Sequence, residues 1–173
     1  MNQPIIPKQE WRETILKGRM AESLMLELFK ESGNEAYRIG YEAVLPGLAR
    51  IKESFKRNSE VGEKIRAIPD FFVIDKLGDP HLVEVKFRWD SNWHENDQKM
   101  LEKLKNNWQE VVVAVVSRKQ KPYFRFSRYP FEKMEPAQNL EFFGITQELL
   151  DKFDVLVDKY LAPAIQDNSL TTN

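Results

Sequence analysis

Residues Val111 to Val116 read VVVAVV, five valines and an alanine in succession. No other stretch constrains the fold as much. β-Branched residues favour strands, and an apolar run without alternation is the pattern of a buried strand. Phe71 to Ile74, FFVI, is a second such run and reads as an interior strand. Helices are read around them. Gln9 to Ser32 is expected to be helical and to stop at Gly33 and Asn34, with Ile15, Leu24, Met25, Leu26, Leu28 and Phe29 on one apolar arc. Glu95 to Asn107 carries the stripe Met100, Leu101 and Leu104. Gln147 to Ile165, an acidic segment with Leu149, Leu150, Phe153, Leu156, Val157, Tyr160 and Leu161 at helical spacing, closes the order.

Further strands are expected at Glu35 to Val44, at Leu82 to Phe87 and at Pro122 to Ser127. The last sets Tyr123, Arg125 and Ser127 on one side and Phe124 and Phe126 on the other. Leu48 to Arg66 reads as a basic helical insert, with Gly62 as its weak point or end. Gln138 to Phe143 is apolar-rich with no assigned structure. The order is helix, strand, helical insert, strand, strand, helix, strand, strand, helix. It predicts a single α/β domain over residues 1–173, a three-layer α/β/α arrangement with a central mixed sheet.

Composition excludes several classes of function. With 42% hydrophobic and 31% charged residues among 173, the balance is that of a soluble globular protein. No apolar run approaches the roughly 20 residues of a membrane span. The opening MNQPIIPKQEW lacks the pattern of a secretory signal, so a cytoplasmic protein is expected. There is no cysteine and there are only two histidines, His81 and His94. Any metal is therefore expected on oxygen ligands. The net charge of -1 hides an uneven distribution. Arg50 to Arg66 holds six basic residues against three acids, Ser117 to Arg128 holds five and no acid, and the chain from Phe131 onward has eight acids against three lysines. A basic face of this kind suits phosphate.

The candidate chemistry lies in Ile68 to Arg88, IPDFFVIDKLGDPHLVEVKFR. Gly78, Asp79 and Pro80 mark a turn between two strands. Asp70 opens the first strand. Glu84 and Lys86, two apart on the second, share a face, while Val83, Val85 and Phe87 take the other. Glu22 is out of place on the apolar arc of the first helix, where an uncompensated carboxylate is costly. Glu and Lys at alternate positions also describe an ordinary solvated strand face. The conjunction of an acid, a tight turn, acid-x-lysine and a misplaced helical acid points further, to phosphodiester hydrolysis. That reaction needs a positioned water and neutralisation of charge on the phosphoryl oxygens. Asp70 and Glu84, with the main-chain carbonyl of Val85 and with Glu22, would hold Mg2+ or Mn2+. Lys86 would orient or activate the water, with its pKa expected to fall, or stabilise charge.

Pro69-Asp70 followed by Glu84-Val85-Lys86 resembles the PD-(D/E)XK nuclease superfamily, the restriction-endonuclease-like fold. The opening helix, with Gly18 before Glu22, is similar to that of Holliday-junction resolvase-type members. The resemblance covers roughly Gly18 to Val116. It implies a restriction-endonuclease-like core, magnesium-dependent cleavage of nucleic acid, and catalytic roles for Glu22, Asp70, Glu84 and Lys86. It also puts Gln98 where some members carry a further polar site residue. The basic insert and the segment beyond Pro130 depart from the pattern and leave the substrate open.

DNA is the expected partner. Arg19, Lys52, Lys56, Arg57, Lys64, Arg66, Arg88, Arg118, Lys121 and Arg125 are the candidate phosphate contacts. Trp89 and Trp93 either cap the core or stack on an unpaired base. Two alternatives stand beside a metal-dependent endodeoxyribonuclease. One is a catalytically silent nuclease-like fold that binds nucleic acid or protein. The other is a subunit of a larger repair or defence complex that docks through the acidic last helix. A homodimer is compatible with cleavage of two strands.

Overall fold

The structure is a computed structural model and describes residues 8–44, 59–90 and 92–161. Helix α1 (Lys8–Glu31) leads to strand β1 (Glu35–Arg38) and a single helical turn at Tyr41–Val44. Helix α2 (Glu60–Arg66), strands β2 (Phe71–Ile74) and β3 (Pro80–Arg88), helix α3 (Glu95–Asn107), strands β4 (Val112–Ser117), β5 (Phe124–Arg128) and β6 (Glu135–Pro136), two 3-10 turns and helix α4 (Gln147–Tyr160) follow. The six strands form one mixed open sheet in chain order. Only β3 and β4 run parallel, and α3 makes the crossover between them. An α/β fold with a mixed sheet was expected.

The valine run is buried on both faces, as its composition requires. Val112, Ala114 and Val116 pack with α1 and α4 around Met25, Leu28, Phe29, Phe153 and Val157. Val111, Val113 and Val115 pack under α3 against Leu101 and Leu104. On β3, Val83 and Val85 join the α1 side. Glu84 and Lys86 therefore face the α3 side, as their spacing predicts.

The sheet opens beside β3. β2 pairs with it only from Phe71↔Val83 to Ile74↔Pro80, whereas β4 follows it to Arg88↔Ser117. The far half of β3 thus has no strand on its β2 side. β1 also ends here. The N–H groups of Ile39 and Gly40 both donate to the Asp70 carbonyl, at 3.0 and 3.3 Å. This turns the chain into the helix of Tyr41–Val44. The single strand expected over Glu35 to Val44 is therefore a four-residue strand, a bend and a helical turn.

Other local expectations are corrected. Gly62 does not end a helix; it is buried in the first turn of α2, where its N–H donates to the N-cap Ser59 Oγ at 3.1 Å. The rest of the expected insert, residues 48–58, lies outside the described residues, as do 162–165 of the last helix. Tyr123 precedes β5 and packs with Phe124 on the α4 side, its hydroxyl 2.8 Å from Asp158, so it does not share a side with Arg125. Ile15 is 36% exposed near the sheet opening rather than in the core. No helix among the described residues is long and apolar enough to cross a membrane.

Candidate metal centre

The opening beside β3 exposes main-chain groups that the sheet would otherwise pair. Asp70, the residue before β2, takes the first of them: its Oδ2 accepts the Val85 N–H at 2.8 Å. Within a strand the N–H and C=O of one residue point to the same side. The Val85 carbonyl therefore turns toward the same gap. A short β2 and a longer β3 thus bring a carboxylate and a main-chain carbonyl together.

Glu84 and Lys86, adjacent on the same face of β3, form an ion pair. Asp70 lies close enough to Glu84 for the two carboxylates to repel. Burial and that repulsion push the Asp70 carboxyl up to about 6, although Lys86 and the Val85 N–H pull the other way. For Lys86, burial pushes the ammonium down, but Glu84 and Asp70 outweigh it and hold the pKa above its ordinary value. The lowered lysine pKa expected from sequence assumed a cation next door; without metal the balance runs the other way. Two neighbouring carboxylates favour the charged form more than burial disfavours it.

Glu22 reaches the opening from α1. Its Oε2 accepts from Arg38 Nη1 at 2.6 Å, and Arg38 also donates to Ser23 Oγ at 3.3 Å and stands over the Phe71 ring. Burial and Asp70 hold the Glu22 carboxyl above its ordinary value, against the pull of Arg38 and Lys86. Glu22, Asp70, Glu84 and Lys86 all line one cleft of about 780 Å3, with Arg19, Arg38 and Arg66 in its walls.

This donor set suits a hard cation. Magnesium is commonly held by one or two carboxylates while keeping several waters. Asp70 and Glu84 supply two carboxylates and Val85 a carbonyl. Glu22 lines the cleft but is paired with Arg38. Among the described residues no three His, Cys, Asp or Glu side chains gather as a ready-made metal cage.

The expected phosphate contacts divide. Arg19 and Arg66 line the cleft. Arg66 is within 3.9 Å of Glu63, and its buried Nε has no hydrogen-bond partner. Lys64 pairs with Glu60 on the exposed face of α2. Arg88 is held by Asp97 at the start of α3, and Lys121 by Asp154. Arg125 lines a separate cleft with Trp93 and Lys133. Arg118 stands over Trp89. Lys52, Lys56 and Arg57 lie outside the described residues. Gln98 is exposed on α3 and is not in the wall of the 780 Å3 cleft.

Sequence reasoning missed Arg38. From sequence there is only the alternation that sets Arg38 on the same face as Ala36; that this face packs on α1 is seen in the structure. On that face its side chain meets the misplaced acid of α1. No family model matches the chain, and a search of curated proteins finds no matching relative.

Proposed function

We propose that this protein is a metal-dependent nuclease that hydrolyses phosphodiester bonds of DNA, built on a restriction-endonuclease-like core of the PD-(D/E)XK type. The observation that carries the reading is the meeting of Asp70, Glu84 and Lys86 where β3 outruns β2, with Asp70 gripping the Val85 N–H. Asp70, Glu84 and the Val85 carbonyl would hold Mg2+ or Mn2+. When bound, such an ion supplies Lewis-acid neutralisation of phosphoryl charge and a more acidic water. Without metal, Glu84 and Asp70 favour the ammonium form of Lys86; a cation held by the same two carboxylates would weaken that support. Lys86 orients or activates the attacking water, or neutralises a phosphoryl oxygen. Arg19 and Arg66, on the cleft walls, bind flanking phosphates.

One observation favours the alternative of a silent, nuclease-like binding protein. Glu22 and Glu84 already have cationic partners within the chain, Arg38 and Lys86. Incubation of plasmid, branched and single-stranded DNA with magnesium or manganese separates the two. The parent is expected to cut, while Asp70→Ala and Lys86→Ala lose about a hundred-fold or more, as removal of electrostatic stabilisation does elsewhere. A parent inert on every substrate, or variants that cut as well as the parent, removes the catalytic reading.

A further inference from the structure

The two tryptophans that follow Lys86 have separate fates. Trp93 packs against the apolar cluster under α3. Trp89 stays 50% exposed, yet it is not loosely mounted. Its carbonyl accepts the N–H groups of Arg118 and Lys119, at 3.3 and 2.8 Å, which ties the end of β3 to the loop after β4. The Arg118 guanidinium stands over the indole, 5.6 Å from the ring centroid.

Charge at this edge is mainly basic. The buried Arg118 Nε has no hydrogen-bond partner among the described residues, and Lys119 is exposed. Of the acids nearby, Asp97 is paired with Arg88, while Asp90 shares a hydrogen bond with His94 at 2.8 Å and is held below the ordinary carboxylate range by that bond, with a smaller pull from Lys119. A half-exposed aromatic ring on an anchored main chain beside cations is the arrangement that binds unpaired bases, with stacking on the ring and phosphates on the cations. Trp89 lies three residues beyond Lys86, roughly 10 Å along the chain.

We propose that Trp89, with Arg118 and Lys119, forms a stacking platform for an unpaired nucleotide, so that the substrate is single-stranded, or splayed, beside the cleavage cleft. This deepens the nuclease reading and rests on it only for the setting beside a cleavage site. The contact itself is testable without cleavage.

The test uses the full chain carrying Asp70→Asn, in EDTA. Binding of a fluorescein-labelled oligothymidylate and of a blunt duplex of equal length is followed by anisotropy. Trp89→Ala is expected to weaken single-strand binding about five- to a hundred-fold and duplex binding less than about two-fold, a split that misfolding does not produce. Trp89→Phe should restore most of the loss, and Tyr129→Ala, at another exposed aromatic, should change neither. Equal single-strand affinity with and without Trp89, an equal loss on both DNAs, or no single-strand binding at all overturns the platform. A parent that cuts DNA with no dependence on Trp89 removes only the platform. Trp89-dependent binding by a parent that cuts nothing removes only the nuclease reading.

Discussion

Asp70 carries charge where burial and Glu84 both oppose it. Its carboxyl stands at about 6 in the fold against an ordinary 3.8. The folded state therefore holds this proton more tightly than the unfolded state. Below about pH 4 both states are protonated and nothing is lost. Between about 4 and 6 the unfolded chain gives up the proton first, so folding stability falls as pH rises. Above 6 the full cost remains, at most about 3 kcal/mol for two pKa units, part of it shared with Glu84. Asp70→Asn removes the charge and keeps an oxygen for the Val85 N–H. We expect this variant, without divalent metal, to be more stable than the parent by about 1–3 kcal/mol at pH 7.5 and equal to it near pH 4, by urea denaturation. A less stable variant at pH 7.5 would mean that Asp70 is a structural acid. Glu22 is held the same way, by burial and by Asp70. Both carboxylates thus sit in positions that oppose their charge, and a bound cation would relieve them.

At the scale of elements, the buried strands were readable because they need no partner to be recognised: VVVAVV and FFVI are apolar on both faces whatever packs on them. The tight turn at Gly78, with φ 90°, was readable for the same local reason. The break in β1 was not, since it depends on the distant Asp70 carbonyl receiving two N–H groups. Acid-x-lysine spacing told which side chains share a face, but not that β2 stops short of them and frees Val85. Arg88 shows the limit for charged residues. From sequence it is one of many candidate phosphate contacts. In the fold its Nε and Nη2 hold the buried Asp97, whose Oδ2 also accepts the His94 N–H at 3.0 Å and closes the first turn of α3. Removing one partner leaves the other charge buried and unpaired. Asp97→Ala should therefore cost about 2–4 kcal/mol in denaturant unfolding. Arg88→Met should also lower stability, while DNA affinity per folded molecule stays within about two-fold. An Arg88→Met protein that is fully stable but binds DNA poorly would return Arg88 to the phosphate-contact set.

Across the whole molecule, a net charge of -1 would argue against a polyanionic partner if the charge were evenly spread. It is not. The acids Glu148, Asp151, Asp154 and Asp158 are gathered on α4, whereas Arg19 and Arg66 line the cleft and Arg118 and Lys119 follow β4. Local field, not total charge, governs phosphate binding. Each phosphate neutralised releases counterions, so the logarithm of affinity falls with that of salt by roughly 0.7 to 0.9 per contact. Four such cations predict a slope of about -3 to -4. Asp70→Ala and Lys86→Ala are expected to keep DNA binding, and Asp70→Ala to bind slightly tighter, because a negative charge leaves the cleft. Arg66→Ala should weaken binding to all sequences alike and reduce the slope by about 1. Fluorescence anisotropy across a sodium chloride series reads all of these. An interaction that is absent, or that salt does not weaken, would mean that the cleft does not serve a phosphate backbone and would favour a protein partner. A slope that Arg66→Ala leaves unchanged would move the phosphates to other cations while keeping the nucleic-acid reading.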